Sequence, residues 1–208
     1  IEDCAIPLLP LAQRAQAVFV ESSAIRIDAG TRQVTLADAQ VLRYDVLSID
    51  TGPVMDRNAI AGAREHGMFV RPIEHFARMW DALLVLSEQR GLSVAVIGAG
   101  AAGVELAMAM QYRLGERARV SLVTGGSAAL TGYPAAVQLR ARNALRRLSI
   151  TVLEDTCVKL TEQHLVLGSG TRLQCDAPIL AIGSSAPQWL AGSGLALDAQ
   201  GFIATATT

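Results

Sequence analysis

Residues 92–114 read LSVAVIGAGAAGVELAMAMQYRL, and this stretch decides the fold. The apolar run at its start predicts a buried strand, and apolar side chains over 104–114 recur at helical spacing. A G-x-G-x-x-G motif links the strand directly to the helix, with Gly98 for a tight turn, Gly100 for close approach of a pyrophosphate and Gly103 for helix–strand packing. The segment is therefore predicted to bind a dinucleotide at the helix N-terminus, through Gly98, Ala99, Gly100, Ala101, Ala102 and Gly103.

Strands and helices alternate on both sides of this motif. Parallel strands need a long connection over one face of the sheet, so the alternation predicts an α/β fold with a doubly wound parallel sheet. One crossover is replaced by a three-stranded antiparallel meander, TCVKLT, HLVLG and TRLQC, within 156–175. The predicted strands are 92–97, 118–123, 150–153 and 177–182, and the predicted helices are 73–87, 104–114 and 135–148.

A similar pattern stands earlier in the chain. The runs AVFVES, AIRIDA and RQVTLA predict another meander, and YDVLSID predicts an apolar strand that ends at Thr51-Gly52. Glycines and prolines over 53–72 predict a crossing between domains. We therefore expect a partial second domain of the same type at 1–66, a dinucleotide-binding domain at 67–184, and a return into the partial domain at 185–208.

The end of the second sheet strand decides between the two nicotinamide coenzymes in this class of fold, through an acid for NAD or a base for NADP. Here the sequence reads Thr124-Gly125-Gly126-Ser127, so Thr124 and Gly125 are candidate contacts and the coenzyme stays open. The next helix carries four arginines that are expected to face solvent, namely Arg140, Arg142, Arg146 and Arg147.

Glu105 follows the third glycine by two residues. Its carboxylate suits the positive end of a helix, where it would stabilise the first turn. The other interpretation is a carboxylate placed beside the nicotinamide, and the residues alone leave both open.

Composition limits the other classes of function. Of the 208 residues 51% are apolar and 18% are charged, with a net charge of −1, which argues against a disordered chain or a nucleic-acid binder. Three widely spaced cysteines provide no metal cage and no local redox disulfide, which favours a reducing cytoplasm. Apolar runs fall well short of the roughly 18 residues that a membrane helix needs. The chain starts at Ile1, and we expect it to be an internal fragment that is inactive by itself.

The chain resembles the pyridine nucleotide-disulfide oxidoreductase superfamily in the order of three features. These are the strand ending at Thr51-Gly52, the glycine motif with Glu105, and a later strand ending at Gly183. The resemblance implies an FAD/NAD(P)-binding three-layer fold, with FAD and NAD(P)H as cofactors and no metal. It places Glu105 beside nicotinamide and flavin as the catalytic residue, and makes the strand-end residues Thr51, Gly52 and Gly183 cofactor contacts.

More narrowly, DCAIPL, YDVLSIDTG, VRPIEHF and VIGAGAAGVELA are similar to the type II NADH dehydrogenase-like branch, and to oxidoreductases associated with selenide, water dikinase. This implies an FAD-dependent NAD(P)H oxidoreductase that passes hydride from NAD(P)H to FAD and on to an acceptor, quinone-like or other. By the same comparison the backbone of Val20 meets the FAD adenine. The glycine motif that would cradle the FAD pyrophosphate is absent from the sequence.

The resemblance also suggests a selenide, water dikinase partner or fusion, a homodimer, and a parent protein in the cytoplasm or on the inner face of a membrane. Two other functions compete with the flavoenzyme. A flavin-free dehydrogenase would need a substrate domain after the nucleotide fold, and only about 25 residues follow Gly183. A non-catalytic dinucleotide-binding or partner-docking module is the main alternative.

Overall fold

The computed structural model describes residues 6–205. The chain divides into a sheet unit, Met55–Gly183, and a flanking unit formed by the residues up to Val54 and those from Ser184. The sequence-based boundary after residue 66 is therefore too late, because Ile60 and Ala63 are buried in a core cluster of the sheet unit. The return into the flanking unit lies within one residue of the position expected.

The elements follow one another in the order α1 (Leu8–Arg14), β1 (Ala24–Asp28), β2 (Gln33–Leu36), β3 (Val41–Arg43), α2 (Ala63–His66), β4 (Met68–Phe69), α3 (Ile73–Gln89), β5 (Leu92–Ile97), α4 (Ala101–Leu114), β6 (Ala118–Val123), α5 (Ala135–Arg147), β7 (Thr151–Leu153), β8 (Cys157–Leu160), β9 (His164–Leu167), β10 (Arg172–Gln174) and β11 (Ala177–Leu180).

The sheet unit is built on five strands in the order β4-β11-β5-β6-β7, and every neighbouring pair is parallel. Strands such as LSVAVI are mainly apolar, because both faces of a parallel sheet are covered. On one face the sheet packs against α3, α4 and α5, with Val94, Val96 and Leu122 at the centre of the core.

The meander β8-β9-β10 covers the other face of the sheet. Its buried residues Leu160, Leu165 and Leu167 pack in one cluster with Ile97 and Leu180 of the parallel strands. Helices, parallel sheet and meander form three layers, which confirms the predicted fold class.

The flanking unit carries a second antiparallel meander, β1-β2-β3, around a small core of Ile27, Val34 and Leu36. The prediction of a strand at AVFVES is wrong, since 17–22 form no strand, and so is the strand predicted at YDVLSID over 44–50. A strand needs a hydrogen-bonded neighbour. Among the described residues of the flanking unit, β1, β2 and β3 pair only with one another, so these two apolar segments have no sheet to join.

The two meanders share a scheme of backbone hydrogen bonds. In each, the first strand shifts register once against the second, after Ala24 and after Cys157. The strands of each meander are then joined by equivalent amide–carbonyl hydrogen bonds, although the side chains of the two meanders differ. These bonds are Leu36 N to Gln40 O (2.8 Å) and Leu167 N to Thr171 O (2.9 Å), Ala37 N to Ser23 O (2.8 Å) and Gly168 N to Thr156 O (2.7 Å), and Tyr44 N to Arg32 O (3.1 Å) and Cys175 N to Gln163 O (2.9 Å).

Among the helices of residues 6–205, none has both the length and the apolar character that spanning a membrane requires. No group of three or more histidine, cysteine or acidic residues within 6–205 is arranged to hold a metal ion.

Candidate dinucleotide site

The glycine turn leaves β5 in the geometry that its first and third glycines require. Gly98 has φ +108°, and its amide donates to the carbonyl of Val123 at the end of β6 (2.9 Å). A methyl group on Gly103 would overlap the Gly98 carbonyl oxygen, and one on Gly98 would overlap the Ala181 carbonyl oxygen. The helix, the turn and the neighbouring strand therefore pack so closely at these two positions that no side chain fits.

Gly100 plays the remaining role in the motif. A Cβ at this position would meet no atom within 4 Å, so the backbone of the turn faces open space here. Gly100 is the N-cap of α4, and no side chain caps this end of the helix. The first amides of a helix have no partner within it and carry its positive dipole end. An uncapped helix start with open space beside Gly100 fits the pyrophosphate of a dinucleotide.

Glu105 does not occupy the helix position that the sequence predicted. The helix α4 begins at Ala101, three residues before the predicted start at Val104, and has no acidic residue in its first turn. Gly103 lies inside the helix, where the missing side chain allows close packing, and it does not mark the helix start. The exposed carboxylate of Glu105 consequently lies in the second turn, where a stabilising interaction with the helix dipole fades.

A cavity of about 620 Å³ runs between α4 and α5, with Glu105 on its wall. The rest of its lining is mainly apolar, and Arg140 and Arg147 supply its positive charge. The lining consists of Ala101, Val104, Glu105, Met108, Leu130, Tyr133, Val137, Arg140, Ala141, Asn143, Ala144 and Arg147. All four arginines of α5 are exposed, as the sequence predicted.

Thr124 and Gly125 lie beside the turn, at the end of β6 and next to Val123. Thr124 is 9% exposed, and its hydroxyl is the one buried side-chain oxygen within 6–205 that lacks a hydrogen-bond partner. An unpaired buried polar group costs about 1–3 kcal/mol. Such a cost is often retained at functional sites. Gly125 and Gly126 are exposed, carry no side chains and adopt positive φ of +84° and +86°.

The two acids that follow β7 lie near the site although the sequence analysis does not include them. The Thr124 amide donates to the Leu153 carbonyl (3.0 Å), and the Gly125 amide donates to the Asp155 carbonyl (2.9 Å). These bonds bring Glu154 and Asp155 beside the loop that follows β6. Only the order of strands in the sheet creates this contact, so residue spacing gives no signal of it.

The remaining predicted contacts are distributed over both units. Gly183 is exposed and ends the sheet unit, two residues after Ala181, which packs against the glycine turn. Val20, Thr51 and Gly52 belong to the flanking unit. Val20 lies ahead of β1 and not within a strand, contrary to its predicted place, while Gly52 has φ +68° with open space around it. Their contacts with FAD stay predictions.

Two thiols are buried in the sheet unit, where they are inert. Burial raises the pKa of Cys157, and it raises the pKa of Cys175 to about 12. Thiolate is the reactive form, so neither group is suited to nucleophilic or redox chemistry at neutral pH.

Comparison with known proteins supports the assignment that the turn suggests. Residues 10–208 match the family described as pyridine nucleotide-disulphide oxidoreductase. The chain belongs to this family.

Relatives within the family include a demethylphylloquinone reductase, NdbB, of Synechocystis sp., which is 26% identical over 162 residues, covering 75% of this chain and 40% of the relative. The oxidoreductase ptaL of Pestalotiopsis fici is 30% identical over 194 residues, covering 89% and 50%. The chain thus spans half or less of the length of these two relatives.

The solved structure of the sulfide:quinone oxidoreductase from Aquifex aeolicus superimposes on 97% of this chain and 51% of its own, with a TM-score of 0.82 at 20% identity. NDH2 of Plasmodium falciparum, solved in complex with NADH, matches 82% of this chain and 42% of its own with a TM-score of 0.72 at 17% identity. At this identity the likeness shows the fold alone.

Proposed function

We propose that this chain carries the NAD(P)H-binding unit of an FAD-dependent oxidoreductase, which passes hydride from NAD(P)H to FAD and on to a separate acceptor. The observation that supports this most is the glycine turn, which is open only at Gly100, where the pyrophosphate would approach. Family membership and the oxidoreductase relatives support the flavoenzyme over a module that binds the nucleotide without turnover. The partner, dimer and location suggested by the resemblance remain predictions.

The chain contributes binding and orientation. The uncapped amides of α4 hold the pyrophosphate. The close backbone packing at Gly98 and Gly103 keeps those amides fixed against β5. A rigid turn limits how far the bound nucleotide can shift, which matters because hydride donor and acceptor must be held in near-contact. The hydride and electron chemistry itself belongs to nicotinamide and flavin when both are bound.

We propose that Glu105 orients the nicotinamide end of the coenzyme. Its side chain is exposed and lies one turn of α4 beyond the amides that would hold the pyrophosphate. A carboxylate at that distance can accept hydrogen bonds from a carboxamide group. Within residues 6–205, Glu105 forms no ion pair that would keep its carboxylate away from the nucleotide. Glu105→Gln is expected to lower kcat more than it weakens nucleotide binding.

The test uses a matched pair of glycine variants in the intact protein that carries this chain. Gly100→Ala places a methyl group in open space where the anion would lie, at a φ of −69° that alanine adopts without strain. We expect about a tenfold weaker Kd for NADH, equivalent to about 1.4 kcal/mol, with unchanged stability. Gly91→Ala is the control, because Gly91 also faces open space but precedes β5, at the other end of the strand.

Binding is followed by nicotinamide fluorescence, and turnover by bleaching of the flavin absorbance at about 450 nm on addition of NADH or NADPH. A coloured protein bleached by either nucleotide, with binding weakened only by Gly100→Ala, supports the proposal. Nucleotide binding without bound flavin or turnover would support the non-catalytic module. A Gly100→Ala variant that binds as tightly as the parent would refute the site.

A further inference from the structure

The cavity between α4 and α5 has the size and the lining of a small-molecule site. Its volume of about 620 Å³ falls within the roughly 300–1,000 Å³ typical of such sites, which are mostly apolar with a few polar groups. Small residues create the space, because Ala101 of α4 and Ala141 and Ala144 of α5 stand where longer side chains would fill it. An apolar ligand can therefore lie between the two helices.

The cavity is elongated, because the two helices run side by side. α4 follows β5 and α5 follows β6, and these two strands are parallel neighbours. The Leu130 amide donates to the Ala99 carbonyl (2.9 Å), which holds the loop before α5 against the start of α4. Arg140 and Arg147 are seven residues apart on α5, so this wall extends about 10 Å along the helix. The cavity is a groove that begins beside the glycine turn.

The charges of the lining are distributed unequally along this groove. Glu105 lies in the second turn of α4, close to the glycine turn, whereas Arg147 lies in the last turn of α5. Arg140 adds a second guanidinium on the same face of α5. Neither arginine forms an ion pair within residues 6–205. Two guanidinium groups and one carboxylate give the groove a net positive charge, and its positive end is the one remote from the turn.

We propose that this groove binds a small amphipathic carboxylate, with its apolar chain along the alanines and its acid group between Arg140 and Arg147. Arginine binds carboxylates through paired N–H donors, and such charge-assisted hydrogen bonds are about twice as strong as neutral ones. This orientation keeps the acid group away from the Glu105 end of the groove, where two carboxylates would repel each other. The inference is independent of the proposed function, since it requires no dinucleotide in the turn.

Octanoate is the probe, and isothermal titration calorimetry measures its binding to the intact protein that carries this chain. We expect saturable binding at one site, and at least about tenfold weaker binding of the neutral analogue 1-octanol, which cannot pair with a guanidinium. The double variant Arg140→Gln/Arg147→Gln is expected to weaken octanoate binding about tenfold and to change 1-octanol binding less than about twofold. Arg142→Gln/Arg146→Gln is the matched control, because these exposed arginines of α5 lie outside the lining.

A second pair of variants tests the groove by its shape. Ala144→Leu places a larger side chain in the space and is expected to abolish the binding of both probes. Ala136→Leu adds the same side chain at an exposed residue of α5 outside the lining and is expected to bind octanoate like the parent. Urea unfolding checks that both variants are folded. Octanoate binding that survives Ala144→Leu in the folded protein would place the ligand elsewhere and overturn the proposal.

Three further outcomes would also overturn it. These are equal binding of octanoate and 1-octanol, an unchanged Kd in the double arginine variant, and no binding to the intact protein, as when another segment or a second copy fills the groove. Saturating NADH is expected to leave the Kd for octanoate within about threefold, whereas competition between the two would assign the groove to the dinucleotide site. A protein that binds octanoate but not NADH would contradict the proposed function alone.

Discussion

Replacing Gly103 by alanine tests whether the close packing of α4 on the glycine turn stabilises the sheet unit. A methyl group at this position would overlap the Gly98 carbonyl oxygen and would lie 2.8 Å from the Gly98 carbonyl carbon. Both neighbours are backbone atoms, so no side chain can turn aside to make room. The start of α4 would have to move away from β5.

The size of the effect follows from what that movement disturbs. Val104 and Ala107, on the buried face of the same helix, are 2% and 0% exposed in the core between helix and sheet. Forcing an extra methyl group into a packed interior costs about 1–3 kcal/mol. The shift would also displace the α4 amides, so we expect nucleotide binding to weaken at least tenfold, beyond the loss of stability.

Urea unfolding of the Gly103→Ala protein gives the free energy of unfolding, and NADH titration gives its Kd. Gly91→Ala serves again as a control, because it adds the same methyl group in open space at a residue with an ordinary φ. The structure leaves no space for the methyl group. The packing argument would therefore be refuted if the free energy of unfolding of Gly103→Ala lay within about 0.5 kcal/mol of the parent value and its Kd for NADH were unchanged.

Three further predictions concern groups outside the turn. Thr124→Val removes the unpaired buried hydroxyl and is expected to raise the free energy of unfolding by up to about 1 kcal/mol in urea, whereas a loss of stability would show that the hydroxyl has a partner. Despite partial burial, hydrogen bonds from Arg90 and the Ser93 amide lower the pKa of Asp176. Its stabilising contribution is therefore present above the unfolded pKa of about 3.9 and lost as pH falls through the folded value, so Asp176→Asn should flatten the acid limb of a stability–pH curve. In a Cys4→Ser background, Cys157 and Cys175 should react with a thiol reagent only after unfolding, and rapid labelling of the native protein would contradict their burial.

Sequence identified the glycine turn because each of its requirements is local. Gly98 has a left-handed φ, and Gly103 has no room for a Cβ atom. Only glycine meets these two conditions without strain, so the glycines of the motif indicate them directly. The parallel strands are equally predictable, since burial on both faces makes them mainly apolar. The start of α4 is not predictable in this way, because the glycine motif suggests a boundary at Gly103, which lies inside the helix.

Features that depend on residues distant along the chain could not be predicted from the sequence. AVFVES and YDVLSID have the composition of strands, but strand formation needs a paired neighbour, and the described residues of the flanking unit provide none for them. Glu154 and Asp155 approach the loop after β6 because β6 and β7 are adjacent in the sheet. The adjacency of these two strands follows from the sheet topology, and the spacing of the two acids along the chain does not predict it.

The hydrogen-bond scheme common to both meanders has a consequence for how this chain could change over time. Ala39 and Gly170 hold the same turn position at φ of +66° and +87°, and the alanine adopts this left-handed conformation at a cost of about 1 kcal/mol. The scheme survives that replacement because main-chain groups alone define it. The residues of such a hairpin can therefore be substituted, or replaced by those of the other meander, while the backbone conformation is retained.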